Sequence, residues 1–313
     1  TMRHTSVLLL LLLLVTALAY EYKNVALRGK ATQSHRLQSE FSVDAYNAID
    51  GNRNSDLRRG SCTHTGPQAH PWWRVDLLES YVVTSISVTN RGDCCSENIN
   101  GAGIHVGNSL QDDGTSNPVV AVISGIPPGR TLRITFTSPV EGRYVIVSLP
   151  GFNMVLTLCE VEIYGYRAPT GENIAIYGKA TQSSLYTHGI AYNSIDGNRA
   201  GHWGKASCSH TIREFNPWWR LDLGKTHKVF SVSVTSSVEA YLRLQGAEIR
   251  IGDSLNNNGN NNPRCAAIGV ISPGFTQNLQ CNGMNGQYIN IVIPGRTENL
   301  ILCEVEVYAS RLD

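Results

Sequence analysis

The chain has 313 residues, with 26 Lys and Arg against 25 Asp and Glu and a formal net charge of +1. A charge so balanced lacks the basic footprint of a protein that binds nucleic acid or an anionic membrane surface. Eight cysteines, an even number, point to disulfides, and no Asn-x-Ser/Thr acceptor for N-glycosylation occurs.

In chain order, the first segment is a targeting signal. Arg3 and His4 precede an apolar run from Val7 to Val15, and the small residues Ala17 and Ala19 come after it. That pattern predicts a secretory signal peptide over residues 1–19, with a secreted, extracellular mature chain. The run is too short for a membrane span, and no other stretch approaches ~18 consecutive apolar residues, so no membrane insertion is expected.

Beyond the signal, the chain is one domain written twice. NVALRGKATQS at Asn24 to Ser34 recurs as NIAIYGKATQS at Asn173 to Ser183, and AYNAIDGNR at Ala45 to Arg53 recurs as AYNSIDGNR at Ala191 to Arg199. PWWRVDL at Pro71 to Leu77 returns as PWWRLDL at Pro217 to Leu223, and CEVEIY at Cys159 to Tyr164 as CEVEVY at Cys303 to Tyr308. A period this long means tandem domains, not a solenoid. They are placed at 20–166 and 172–313, with a linker at 167–171 inside the Gly- and Pro-containing stretch GYRAPTGE.

Within each copy the signal is β. Val82 to Asn90 and Val229 to Ser237 alternate apolar and polar residues, while Gly142 to Gly151 and Gly286 to Gly295 are β-branched runs closed by Pro-Gly. Helical periodicity is absent after the signal, and stretches such as GDSLNNNGNNNP read as loops. The fold class is therefore all-β, a sandwich in each copy. The paired tryptophans are expected to pack, since they adjoin strand-like sequence.

Two stretches carry chemistry. NAIDGN offers oxygen ligands in a Gly-containing turn, as a hard cation needs, although the same letters make an ordinary turn. NRGDCCSEN places an Arg-Gly-Asp tripeptide against adjacent cysteines. It reads either as an adhesion signal or as one site in which Arg91, Asp93, Cys94 and Cys95 act together.

Both copies resemble the F-type lectin domain of fish fucolectins, on the motifs NVALRGKATQS, AIDGNR, GSCTH, PWWRVDL, NRGDCC and LCEVE. The resemblance implies two tandem β-sandwich jelly-roll domains of discoidin-like type, and a protein that binds fucosylated glycans through terminal L-fucose. It also implies roles in innate immune recognition and agglutination. One structural calcium ion (Ca2+) per domain is implied, held by Asn47, Asp50, Asn52, Ser61, Cys159 and Glu160 in the first copy. In the second copy the set is Asn193, Asp196, Asn198, Ser207, Cys303 and Glu304. The repeated acids are thereby calcium ligands and not a catalytic carboxylate pair, and no enzymatic activity is expected. The implied disulfides are Cys62–Cys159, Cys94–Cys95, Cys208–Cys303 and Cys265–Cys281. In the first copy, Val120 and Phe136 stand where that last bridge would be.

The family's sugar site pairs a His and two Arg, as donors, with an apolar surface for the ring and methyl group. In the first copy it maps onto His64 and Arg91, with Asp93 orienting the arginine, Cys94 and Cys95 as the platform, and Leu37 and Leu57 against the methyl. The second arginine position is Asn98, a departure that costs ~1.5–3 kcal/mol if nothing replaces the charge. Arg58 and Arg59 are near in sequence, though solvated loop arginines are the plainer reading. In the second copy the site maps onto His210 and Arg243, with Ser237 at the first arginine position and Glu239 near the family's Asp. Trp203 and Tyr186 take the methyl-contacting positions. Alternatives are adhesion through Arg91-Gly92-Asp93 and a non-binding structural tandem. The oligomeric state and the preferred glycan are left open by the sequence.

Overall fold

The computed structural model describes residues 21–312; the expected signal peptide lies outside the described residues. The first copy contains β1 (Lys30–Gln33), β2 (Thr63–His64), β3 (Trp72–Thr89), β4 (Ala102–Gly107), β5 (Val119–Ile123), β6 (Thr131–Ser148), β7 (Thr157–Leu158) and β8 (Glu160–Arg167). The second contains β9 (Lys179–Gln182), β10 (Ser209–His210), β11 (Glu214–Phe215), β12 (Trp218–Thr235), β13 (Glu248–Gly252), β14 (Arg264–Ala267), β15 (Thr276–Val292), β16 (Thr297–Glu298), β17 (Ile301–Leu302) and β18 (Glu304–Arg311). Among the described residues the only helical elements are short 3-10 turns. The expected all-β class is the one observed.

Each copy is organised by two long strands that change partners along their length. β3 pairs β1 and the end of β6 over Trp72 to Asp76, then the start of β6 and β8 over Tyr81 to Thr89. Register shifts at Asp76/Tyr81 and Val83/Ser85 bend the strand between those stretches. A bulge lets one strand serve both layers of a sandwich, which is how the two sheets share a core. β12 repeats this with β9, β15 and β18, shifting at Asp222/His227 and Val229/Ser231.

Side-chain alternation fills the layers. Trp73, Val75, Val83, Ile86 and Val88 of β3 point into the first core, and Trp219, Leu221, Val229, Val232 and Val234 into the second. Val120 and Phe136 pack against the first core, where the second copy has the Cys265–Cys281 bridge. The tryptophan pairs divide their labour. Trp73 and Trp219 are buried and donate from Nε1 to the Ala45 and Ala191 carbonyls at 2.8 and 3.0 Å. Their neighbours Trp72 and Trp218 are half-buried, each beneath the guanidinium of Arg74 or Arg220.

The copies touch through an aromatic contact. Tyr166 of β8 lies 6.2 Å from Phe230 of β12, and the Lys228 ammonium sits 5.0 Å above the Tyr166 ring and donates to the Tyr22 hydroxyl at 3.1 Å.

At one end of each sandwich, a two-residue ladder holds the functional loops. Thr63 and His64 of β2 pair with Leu158 and Thr157 of β7, and Ser209 and His210 of β10 pair with Leu302 and Ile301 of β17. Disulfides Cys62–Cys159 and Cys208–Cys303 close directly beside these ladders.

Candidate functional site

In the first copy, β2 presents His64 at the end of the sandwich and the end of β3 presents Arg91. The His64 Nδ1 is 2.7 Å from the Thr65 carbonyl oxygen. A carbonyl only accepts, so Nδ1 carries the proton and the neutral ring turns Nε2 outward as an acceptor. Burial holds the His64 pKa below its ordinary value and the nearby Arg91 charge lowers it further, against the pull of the Thr65 carbonyl. The ring is thus neutral at pH 7. The family resemblance makes this His a donor; its tautomer makes it an acceptor, complementary to Arg91.

Arg91 is fixed by Asp93 in a two-pronged ion pair, Nε to Oδ1 and Nη2 to Oδ2, both at 2.8 Å. Asp93 also accepts from the Leu57 amide at 3.1 Å. The Arg91 hydrogen bonds outweigh burial and hold the Asp93 pKa at about 2. Each side chain of the pair is only 11% exposed. Arginine held by a carboxylate keeps a fixed fork at little further entropic cost on binding.

The chain then turns sharply through Cys95, at φ 55°, and the bonded Cys94–Cys95 pair is exposed. Asn98, on the 3-10 turn after it, donates its amide to the Cys95 carbonyl and carries no guanidinium into the site. Arg58 and Arg59 do not replace it. Both are mostly exposed and face Asp56, at 3.1 and 3.8 Å. Leu57 and Leu37 pack with Val43 against the Cys62–Cys159 bridge, which makes an apolar wall beside His64.

The second copy builds the same frame with other contents. Tyr186 donates its amide to the His210 carbonyl, as Leu37 does to His64, so the two are structurally equivalent. Trp203 and Glu239 likewise match Leu57 and Asp93, since Trp203 N donates to Glu239 Oε2 at 3.3 Å. His210 Nδ1 lies 2.6 Å from the Thr211 carbonyl, again leaving Nε2 as the acceptor. Its pKa too is lowered by burial and then by the nearby Arg243 charge. Tyr186 and Trp203 crowd its ring, at centroid distances of 4.6 and 4.9 Å, and His188 stacks on Trp203 at 4.8 Å. Arg243 remains 3.6 Å from Glu298. Ser237, in the place of Arg91, is buried and donates to Glu239 at 2.8 Å.

Three residues of this site are not evident from the sequence. His188 and His202 lie in loops where nothing but position marks them. Gly189 matches Val43, since the His210 and His64 amides donate to these two carbonyls. The shortening of SHRLQSEFSVDA to SSLYTHGIA between the copies is the available signal.

The proposed cation site has a distinct electrostatic mark. Glu160 is buried, its Oε1 accepts from Gly51 N at 3.2 Å, and its Oε2 finds no donor. Burial, then the neighbouring Asp50 carboxylate, push the Glu160 pKa up to about 8. Arg53 cannot compensate, because it is paired with Glu162 at 2.8 and 2.5 Å. The Asn47 amide donates to the Ser42 and Cys62 carbonyls, which leaves its Oδ1 to accept. Asn52 donates its backbone N–H to Asp50, while Ser61 Oγ is engaged by the Asn54 carbonyl. Cys159 is bonded to Cys62, so it has only its carbonyl to offer. Glu304 repeats the arrangement, with Gly197 N at 3.2 Å on Oε1, an orphaned Oε2 and a pKa raised to about 7 by burial and Asp196. Asn193, Asn198, Ser207 and Cys303 occupy the places of their counterparts. In each copy a buried glutamate without a counter-charge, beside an aspartate and among amide and carbonyl oxygens, fits a hard divalent cation.

The Arg91-Gly92-Asp93 tripeptide is not displayed as an adhesion signal. Its two charges are turned on each other and largely buried, so a receptor seeking a separate cation and anion finds neither free.

Comparison with known proteins agrees with this frame. The NedA-like, galactose-binding domain model of the F5/F8 type C group matches residues 47–147 and 193–291, once per copy. The crystal structure of an F-lectin (fucolectin) from striped bass (Morone saxatilis) serum is 66% identical, covering 94% of this chain and 100% of its own, with a TM-score of 0.90. Fucolectin from Anguilla anguilla is 51% identical over 146 residues, 46% of this chain and 92% of its own. Fucolectin-4 from Anguilla japonica is 52% identical over 146 residues, 46% of this chain and 80% of its own. Fold and site together define a tandem carbohydrate-binding β-sandwich protein. The chain belongs to the F-type lectin (fucolectin) family, whose members are lectins and not enzymes. Among the described residues no helix is long and apolar enough to cross a membrane.

Proposed function

We infer that this chain is a secreted, calcium-containing lectin that binds terminal L-fucose on glycoconjugates and cross-links fucosylated surfaces in innate immune recognition. One observation carries the sugar reading. The acceptor Nε2 of His64 and the Asp93-clamped guanidinium of Arg91 stand together beside an exposed vicinal disulfide and a leucine wall. L-Fucose has hydroxyls and a ring oxygen on one side and a bare methyl on the other. A hydroxyl donates to His64, Arg91 donates to sugar oxygens, and the disulfide and leucines take the apolar face. Galactose would bury its extra hydroxyl without a partner, at ~1–3 kcal/mol.

We assign the cation no contact with the sugar. Asp50, Glu160 and their neighbours tie the start of β8 to the loop that carries Leu57, so the ion's part is structural. Two sites on one chain give avidity on a dense glycan surface even where each is weak.

Titration of the whole chain with L-fucose, beside the His64→Ala, His210→Ala and doubly substituted forms, tests this. Two binding events are expected in the native chain, one in each single variant and none in the double. Absence of fucose binding by the native chain overturns the assignment.

A further inference from the structure

The internal duplication makes each copy a control for the other, and it exposes a charge missing from the second site. In the first site the carboxylate of Asp93 is balanced by Arg91. In the second, Ser237 stands in place of Arg91 and offers Glu239 only a hydroxyl. The imidazole that meets Glu239 is that of His202, with Nδ1 3.2 Å from Oε1. It adjoins Trp203 and corresponds to Asp56 of the first copy, so an acid has been exchanged for a base where the arginine was lost.

We propose that protonated His202, clamped by Glu239, takes the place of Arg91 as the charged donor of the second sugar site. Nδ1–H goes to Glu239, and Nε2–H is left for a sugar hydroxyl or ring oxygen. His202 is exposed, with 57% of its side chain accessible, so the ring is open to a ligand. Glu239 is a competent clamp. Burial raises its pKa, but donation from Ser237, its own amide, Trp203 N and His202 outweighs that and holds it ionised. Imidazole is the side chain whose charge changes across physiological pH, whereas guanidinium never loses its own. The two sites therefore respond oppositely to mild acid.

Basic side chains surround this loop. Lys205 lies on the same turn, His188 and His210 lie against Trp203, and Arg243 lies beyond His210. The loop at 269–275, which packs on Gly201, carries no charged residue. Glu239 is thus the carboxylate that faces His202. An imidazole changes charge across physiological pH as a class, while burial holds the His210 pKa below its ordinary value.

This inference rests on the fucose reading, and the test separates the two. Whole chains in which the first site is removed by His64→Ala, or independently by Arg91→Met, are titrated with methyl-L-fucoside at about pH 8 and about pH 6. Affinity is expected to rise about five- to tenfold at the lower pH, the worth of a charge-assisted over a neutral hydrogen bond. His202→Gln in the same background should abolish the rise, and thermal melts show that the variant is folded. An equal rise in His202→Gln, no rise with native His202, or no binding by the second site while the native chain binds would each overturn the inference. Failure of the native chain to bind at either pH would overturn the fucose reading itself.

Discussion

Gly189 and Trp203 share space that Val43 and Leu57 fill in the other copy. A Cβ added at Gly189 would lie 2.7 Å from the Trp203 ring and 2.7 Å from the His210 Cβ. The indole fits beside His210 because the neighbouring side chain has been deleted. Large and small residues have exchanged places across one gap, and the wall beside the histidine has turned from aliphatic to aromatic.

Gly189→Val should therefore evict Trp203. Overpacking of this kind costs ~1–3 kcal/mol, and the second site should lose about tenfold or more in affinity while the first is untouched. Fucose titration of the variant with and without His64→Ala checks both halves.

Asn98→Arg should strengthen the first site, because it restores a charged fork beside His64 and Arg91. The expected gain is ~1.5–3 kcal/mol, or about ten- to a hundredfold in affinity. Unchanged affinity in a folded variant would show that the position no longer faces the sugar.

The disulfides should separate function from stability. Cys62–Cys159 spans 97 residues, whereas Cys94–Cys95 closes the smallest ring that a chain allows. Loop-closure entropy predicts a loss of ~4.7 kcal/mol for the long bridge and little for the vicinal one. Cys94→Ala with Cys95→Ala should leave the melting temperature nearly unchanged and weaken sugar binding. Removal of Cys62 and Cys159 should lower the melting temperature sharply.

Chelation should lower the melting temperature of both domains. Without a cation, buried Glu160 and Glu304 each face a neighbouring carboxylate, of Asp50 and Asp196, and their pKa values are pushed up to about 8 and about 7. Calcium that binds the folded chain alone stabilises it in proportion to the logarithm of its concentration. A melt unaffected by chelator and by added calcium would remove the ion from the structure.

Acid should weaken the first site in two stages. The His64 pKa is depressed in the folded chain, so neutral His64 supports the fold and the sugar contact above the ordinary imidazole value. That support fades as pH falls through the lowered value, because Nε2 then gains a proton and ceases to accept. Asp93 follows at far lower pH. Its contribution is fully present above the ordinary aspartate value and is lost as pH falls through about 2. Fucose affinity of a His210→Ala chain, followed from neutral pH downward, should fall first with the histidine and should survive Asp93 over the accessible range.

The duplication, the all-β class and the family were legible in the sequence because they rest on repeated local patterns. Strand alternation and repeated motifs survive without knowledge of what packs on what. His64, Arg91, Asp93 and the adjacent cysteines could be placed in the first site because the motif keeps them in one register. His210, Arg243, Ser237, Glu239, Trp203 and Tyr186 were placed in the second site by the same motif, but His202 was not. Ser237 and Glu239 are neighbours in the chain, but His202 reaches Glu239 only when a loop more than thirty residues away folds against the end of β12. The tautomer of His64 depends on a carbonyl that the ladder of β2 and β7 puts at hydrogen-bonding distance. The amino-acid sequence by itself determined a tandem lectin and named most of its side chains. Tertiary structure decided which of them are clamped, which are charged and which face one another, because burial and hydrogen-bond geometry arise only when distant loops converge.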